Sequence, residues 1–355
     1  MLSILQTGLS AGMAATSGLH SSKPSRPDPK YDGKHLLPNL SSGKPIEVSY
    51  ICVGAWPWGD SATWHWKPEE LPAVKEAWMR LYEAGINFID TAEAYGNGKS
   101  EEIVGELVAG LPRDSFVIQS KWLGLPVAPD NILHASDAPF RALESIVKRM
   151  KLEYIDILLV HGHIHRQNIP TVAKSLANCV DQGLARTVGV ANYSLEDFKQ
   201  MREELAKYGI PLAINQCEFN VLRRVPELEG DMAAYREMGV QFQSYSSLAQ
   251  GRLTGKYNAE HLPPSTYRFS NYDMEDIQPT LDVLETIGKR RGKNPAAVAL
   301  NYNLSKGALP LVGIRNLAQA EQALEALGWR LTEDEVKMID RHSFIGKRTS
   351  LWQQG

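Results

Sequence analysis

Four side chains in the first half of the chain are of the types that proton transfer needs: Asp90, Tyr95, Lys121 and His161. A phenol has an ordinary pKa near 10, too high for acid–base work at neutral pH, and a neighbouring ammonium lowers it by favouring the phenolate. A buried lysine in turn needs a counter-ion, because neither charge is tolerated alone in an apolar surround. Lys121 paired with Asp90 would therefore tune Tyr95 to hand a proton to a carbonyl oxygen while hydride reaches the carbonyl carbon. His161 beside it would hydrogen-bond the same oxygen and orient the substrate. These are the parts of a reductase that lacks only its hydride donor.

Residues so far apart in sequence need a fold that gathers them. Short apolar runs at 50–53, 87–90, 116–120, 155–160, 187–190, 213–215, 240–243 and 309–312 alternate with stretches of helical periodicity. Helices are predicted over 71–84, 100–108, 140–150, 171–181, 195–208, 226–237, 295–303 and 317–327. Strand followed by helix, eight times over, predicts an α/β chain folded as a (β/α)8 TIM barrel. The rival, a doubly wound open sheet, lacks its Gly-x-Gly-x-x-Gly turn after the first strand. Six of the predicted strands run into a polar residue: Asp90, Lys121, His161, Asn192, Gln216 and Tyr245. Barrel active sites are assembled from such C-terminal tips.

Ahead of the barrel, residues 35–40 and 45–48 flank Ser41-Ser-Gly-Lys44 as an N-terminal hairpin. Residues 249–275, with Gly251, Gly255, Pro263 and Pro264, form a long loop after the seventh strand, on the substrate face. The chain divides into a flexible leader over 1–33 and a barrel with a C-terminal tail over 34–355.

The motifs at these tips resemble the aldo-keto reductase family. They are Gly85-Ile-Asn-Phe-Ile-Asp-Thr-Ala-Glu-Ala-Tyr-Gly96, the strand into Lys121, Tyr154-Ile-Asp-Ile-Leu-Leu-Val-His161, Gly189-Val-Ala-Asn192, Asn215-Gln-Cys-Glu218 and Gly313-Ile-Arg315. The resemblance implies that Asp90, Tyr95, Lys121 and His161 are the catalytic tetrad. It implies that Asn192 and Gln216 hold a nicotinamide carboxamide and that Tyr245 stacks on the ring. Ser246, Leu248, Gly251 and Lys256 resemble the loop over the diphosphate. Gly313, Arg315 and Gln319 fall at the adenosine end, where Arg315 would meet a 2′-phosphate, and Arg268 is a further phosphate candidate. Arginine suits phosphate because its planar fork binds oxygen pairs, so the expected cofactor is NADPH, with NADH the alternative.

Some positions depart from the family pattern: Ala55 for Thr, Ala191 for Ser, Ser247 for Pro, and Gln322-Ala323 for Glu-Asn. His161 is followed by Gly162-His163-Ile164-His165 rather than an aromatic and Pro-Asp. Strand alternation would aim His161 and His163 the same way, as a zinc pair needs, but the other histidines lie in the leader, loops or tail, and no metal is expected. Trp56, Trp58, Trp64 and Trp66 crowd the loop after the first strand, marking a pocket for a sizeable, largely apolar or aromatic carbonyl compound. Trp56, Trp122 and His163 are the candidate substrate contacts.

The bulk numbers limit the alternatives. A formal charge of −3 on 355 residues supplies no concentrated basic face for nucleic acid. No apolar run reaches the length of a membrane span. Cys52, Cys179 and Cys217 are an odd set without a close pair, which points to a reducing compartment and the cytoplasm. The expected activity is NADPH-dependent reduction of an aldehyde or ketone to an alcohol by a monomer or weak oligomer, with specialised metabolism as a candidate setting. The competing function is a cofactor-binding regulatory subunit with little turnover.

Overall fold

A computed structural model describes residues 34–38 and 43–348. Eight parallel strands close into a barrel: β3 Cys52–Gly54, β4 Phe88–Asp90, β5 Val117–Trp122, β6 Ile155–Val160, β7 Ala185–Ala191, β8 Leu212–Glu218, β9 Gln241–Tyr245 and β10 Leu309–Gly313, with β10 pairing back onto β3. The expected (β/α)8 barrel is the observed fold. Its strands are short and apolar because both faces are covered, side chains filling the interior and helices the outside. β5, β6 and β8 are buried along their whole length.

Two apolar clusters follow from this geometry. Cys52, Phe88, Ile157, Leu159, Ala213 and Leu311 form an inner one, joined by Leu37, Ile46 and Val48 of a hairpin. That hairpin is β1 His35–Leu37 against β2 Ile46–Val48, antiparallel with Leu37 opposite Ile46. It covers the N-terminal ends of the strands, where the Ser49 N–H donates to Asn87 Oδ1 just ahead of β4. The active face is therefore the other end. The larger cluster packs the outer faces of the strands against the helices.

Several helices begin at side-chain caps, among them Asn168 before Ile169–Asp181 and Ser194 before Leu195–Ala206. Lys289, Arg290 and Arg291 close the last turn of Met274–Arg291 ahead of left-handed Gly292, as expected of cations at a helix C-terminus. The predicted helix over 226–237 is instead two pieces, Val225–Leu228 and Asp231–Glu237, separated at Gly230, whose φ of 88° stops the first. The segment after β9 opens with a 3-10 turn, Ala249–Thr254, and stays irregular until Met274. Among the described residues, no helix is long and apolar enough to cross a membrane. All three cysteines are buried and free. The leader over 1–33 and the end of the tail, 349–355, lie outside the described residues.

Candidate active site

Register brings the polar tips together. Asp90 on β4 lies opposite Gln119 on β5, and two residues on, Lys121 points into the same barrel interior. Lys121 Nζ donates to Asp90 Oδ2 at 2.7 Å, to the Thr91 carbonyl at 2.8 Å and to Tyr95 Oη at 3.1 Å. Tyr95 sits in the turn Tyr95–Gly98 that follows β4. Gly96 in that turn has a φ of 54°, and a Cβ there would fall 2.5 Å from the Gly59 carbonyl oxygen. Only glycine lets these two loops touch, and their contact sets Trp56 parallel to Tyr95, with ring centroids 5.8 Å apart. His161 follows β6, its N–H donating to the Trp122 carbonyl, and its ring meets Tyr95 edge-on at 5.7 Å.

The balance of charge and burial differs from the simple expectation. Burial is the largest influence on Tyr95 and raises its pKa; the Lys121 ammonium opposes this without reversing it. The ring borders the cavity and keeps partial exposure, yet enough protein encloses it for lost hydration to dominate. The net direction is upward, not the lowering that a lone ammonium would give. For Lys121 burial is again the largest influence, pushing the ammonium down, but Asp90 and Tyr95 together outweigh it and the net is upward. Burial, reinforced by Lys121, drives His161 well below the usual histidine value. At neutral pH the site thus holds a phenol, an ammonium paired with a carboxylate, and a neutral imidazole.

These groups open onto a cavity of about 780 Å³. Asp90, Tyr95, His161, Asn192, Gln216 and Tyr245 line one end, and Gly313, Arg315, Asn316, Gln319 and Gln322 the other. Asn192, in a left-handed conformation, ties the first end together: its Nδ2 donates to the His161 carbonyl at 3.0 Å, and its Oδ1 accepts from Tyr245 Oη at 2.9 Å. Gln216 Nε2 donates to Asp90 Oδ1 and to Gln243 Oε1, both at 2.9 Å. Between the ends, Ser246, Ala249, Gln250 and Gly251 all have positive φ. Such a run forms a backbone concavity of the kind that receives phosphate. Ser247 closes the same turn by donating to the Ser244 carbonyl at 2.8 Å, which the proline of the family pattern has no hydroxyl to do. Leu248 and Lys256 border the cavity. Arg268 stacks over Trp56 and Phe269, at 5.7 and 5.3 Å from their centroids. The residues present fit a nicotinamide dinucleotide: an elongated cavity, amide groups at the acid–base end, a turned backbone in the middle and an arginine at the far end.

Two of the three candidate substrate contacts lie elsewhere. Trp56 borders the cavity, its Nε1 donating to Asp60 Oδ2 at 2.6 Å. Trp122 does not: strand alternation turns it opposite to Lys121 into the outer cluster, where it donates to Asn131 Oδ1 and stacks on His165. His163 is also absent from the cavity wall; it pairs with Asp197 at 2.9 Å and stacks on Tyr193. β6 ends at Val160, so strand alternation does not extend to His161 and His163, and the two rings serve different neighbours. His165 Nε2 meets Tyr193 Oη at 2.8 Å and Nδ1 meets the Gln167 carbonyl at 2.8 Å; burial lowers its pKa to about 4, fixing it as neutral.

The sequence reading passed over a layer of glutamines beneath the site. Gln119 Nε2 donates to Asp90 Oδ1 at 2.5 Å and to Gln243 Oε1 at 2.8 Å. Each lies two residues before a tip residue, Lys121 or Tyr245, so the strand period was the signal that could have found them. Glu70, which by sequence alone reads as a solvated charge in an N-terminal helix turn, instead holds Arg315 with its carboxylate.

A closed barrel with a buried acid–base group at its C-terminal mouth has the architecture of a (β/α)8 enzyme. The aldo/keto reductase family profile matches residues 50–343. A chloroplastic pyridoxal reductase of Arabidopsis thaliana is 30% identical over 312 residues, covering 83% of each chain. L-glyceraldehyde 3-phosphate reductase of Escherichia coli (strain K12) is 29% identical over 302 residues, 80% of this chain and 87% of that one. Among solved structures, a glycerol dehydrogenase from Gluconobacter oxydans superposes with a TM-score of 0.76 at 26% identity, covering 91% of this chain and 99% of that one. An aldo/keto reductase from Klebsiella pneumoniae in complex with NADP and acetate has the same fold, with a TM-score of 0.69 at 22% identity over 90% of this chain and 99% of that one. The chain belongs to the aldo-keto reductase family, whose members are NADP-dependent oxidoreductases acting on carbonyl and alcohol groups.

Proposed function

We propose that this protein reduces an aldehyde or ketone to an alcohol with NADPH, using Tyr95 as the proton donor. The observation that carries the reading is the chain Asp90–Lys121–Tyr95, with 2.7 and 3.1 Å links, ending in a phenol at the cavity wall. Bound at the Asn192–Gln216 end, the nicotinamide would supply hydride to the carbonyl carbon. Tyr95 then donates its hydroxyl proton to the carbonyl oxygen, a transfer that a positioned acid accelerates by about 10²–10⁴-fold. Lys121, kept cationic by Asp90, stabilises the negative charge left on Tyr95. Neutral His161 hydrogen-bonds the same carbonyl oxygen and fixes its approach. The upward pKa of Tyr95 supports its part as an acid, because the phenol stays loaded with its proton across neutral pH.

Trp56 and Phe269 line the acid–base end of the cavity with aromatic faces, beside Tyr95 and Tyr245. That lining supports a substrate with a flat or apolar body behind its carbonyl. The names of two relatives, a pyridoxal reductase and an L-glyceraldehyde 3-phosphate reductase, agree with a small aldehyde.

The test follows NADPH oxidation across a panel of aromatic and aliphatic aldehydes and ketones, with Tyr95→Phe as control. The variant is expected to quench NADPH fluorescence like the wild type while losing about 10²–10⁴-fold in turnover. Full turnover by a variant that still binds NADPH would remove Tyr95 as the donor. Binding by the wild type with no panel member consumed would favour a regulatory subunit.

A further inference from the structure

Arg315 lies on the loop after β10 at the far end of the cavity, and its guanidinium is already engaged. Nε donates to Glu70 Oε2 at 2.8 Å, Nη2 to Glu70 Oε1 at 2.6 Å, and Nη1 to the Trp64 carbonyl at 3.0 Å. An arginine has five N–H donors, so three are committed to protein. Glu70 is held in its turn: it ends the 3-10 turn Pro68–Glu70, and Oε1 also accepts the Lys67 N–H at 3.1 Å. The carboxylate therefore keeps its place when Arg315 is offered another anion. The Arg315 N–H, meanwhile, donates to Gln319 Oε1 at 2.8 Å, which fixes the arginine backbone.

We propose that Glu70 is a specificity-determining residue for the cofactor, holding Arg315 in competition with the 2′-phosphate of NADPH and thereby narrowing the preference for NADPH over NADH. The inference rests on the reading of the Arg315 end as the adenosine end. A 2′-phosphate carries nearly two negative charges and seeks the bidentate edge that the Glu70 carboxylate occupies. To bind, it must share the guanidinium with a fixed anion or displace it. A ribose 2′-hydroxyl faces neither obstacle, being a donor that a carboxylate accepts, as acidic residues do at NAD sites. Glu70 thus handicaps one nucleotide and leaves the other untouched or helped.

The alternative is a plain structural tie between the loop after β3 and the loop after β10. It predicts no discrimination between two nucleotides that differ by one phosphate. Quenching of tryptophan fluorescence gives Kd for NADPH and NADH without substrate or turnover. Glu70→Gln removes the charge at nearly constant shape, and Glu70→Ala removes the group, each with a thermal melt to confirm folding. Both variants are expected to tighten NADPH about fivefold, the order of one screened charge–charge interaction, with NADH unchanged or weakened. Glu70→Asp, which keeps the charge, should retain the wild-type ratio within about twofold. Equal shifts for both nucleotides, or weaker NADPH binding by Glu70→Gln and Glu70→Ala, would overturn the proposal and leave the cavity reading standing. A wild type that binds neither nucleotide would overturn both.

Discussion

At the Tyr95 end of the cavity the charges are enclosed: Lys121 and Asp90 have side chains 0% and 1% exposed, 2.7 Å apart inside the barrel. At the Arg315 end the pair is half-open, with Arg315 and Glu70 24% and 27% exposed. The same kind of bond therefore does different things. Inside the barrel, removing one partner strands a charge with no water to receive it, so the geometry is rigid and costly to disturb. Near the surface the pair is screened and worth on the order of 1 kcal/mol or less, so the guanidinium can be shared with a second anion. On the proposed reading, chemistry sits on the rigid end and nucleotide choice on the adaptable one.

The largest effect that would sharpen this contrast is at Lys121. Lys121→Met strands the Asp90 carboxylate, although Gln119 and Gln216 still donate to it. Urea unfolding should show a loss of about 3 kcal/mol, and turnover should fall at least as far as in Tyr95→Phe. A stable variant with normal turnover would mean that the buried pair neither holds the fold nor supports the phenol.

Arg315→Ala tests the other end with an intermediate effect. Removing one phosphate contact should weaken NADPH by about tenfold and NADH much less, while turnover at saturating cofactor stays near wild type. If turnover at saturation fell as far as in Lys121→Met, the two ends would not be separable.

A smaller effect distinguishes the loop that carries His161. His165 is neutral in the fold, its pKa lowered to about 4 by burial, against an ordinary value near 6.5 in the unfolded chain. The unfolded state therefore binds more protons below pH 6.5, and stability present above that pH is lost as pH falls through 6.5 towards 4. At pH 5 the loss from this one group is about 2 kcal/mol. His165→Gln, which can keep hydrogen bonds to Tyr193 and Gln167, should lose correspondingly less stability between pH 7 and pH 5. Identical pH dependence in variant and wild type would assign the acid sensitivity to other groups.

Much of the fold was legible in the sequence because a barrel buries each strand on both faces and leaves its C-terminal tip polar. Eight apolar runs, six of them leading into Asp90, Lys121, His161, Asn192, Gln216 and Tyr245, carry that rule on the surface of the text. Boundaries were less legible: the break at Gly230 is a local backbone conformation inside an otherwise helical pattern.

The sequence by itself determined the barrel, the family motifs and the set of side chains available for proton transfer, since all three depend on residue type and short-range period. Only the tertiary structure decided how those side chains balance one another. Tyr95 is raised rather than lowered because burial and the Lys121 charge oppose each other, and their sum depends on how the protein closes around the phenol. Trp122 and Lys121 are adjacent in sequence, yet one packs outward on His165 and the other points into the barrel with Asp90. Glu70 and Arg315 are 245 residues apart, and no local pattern could pair them. Distances between elements and the hydration lost between them are properties of the packed chain.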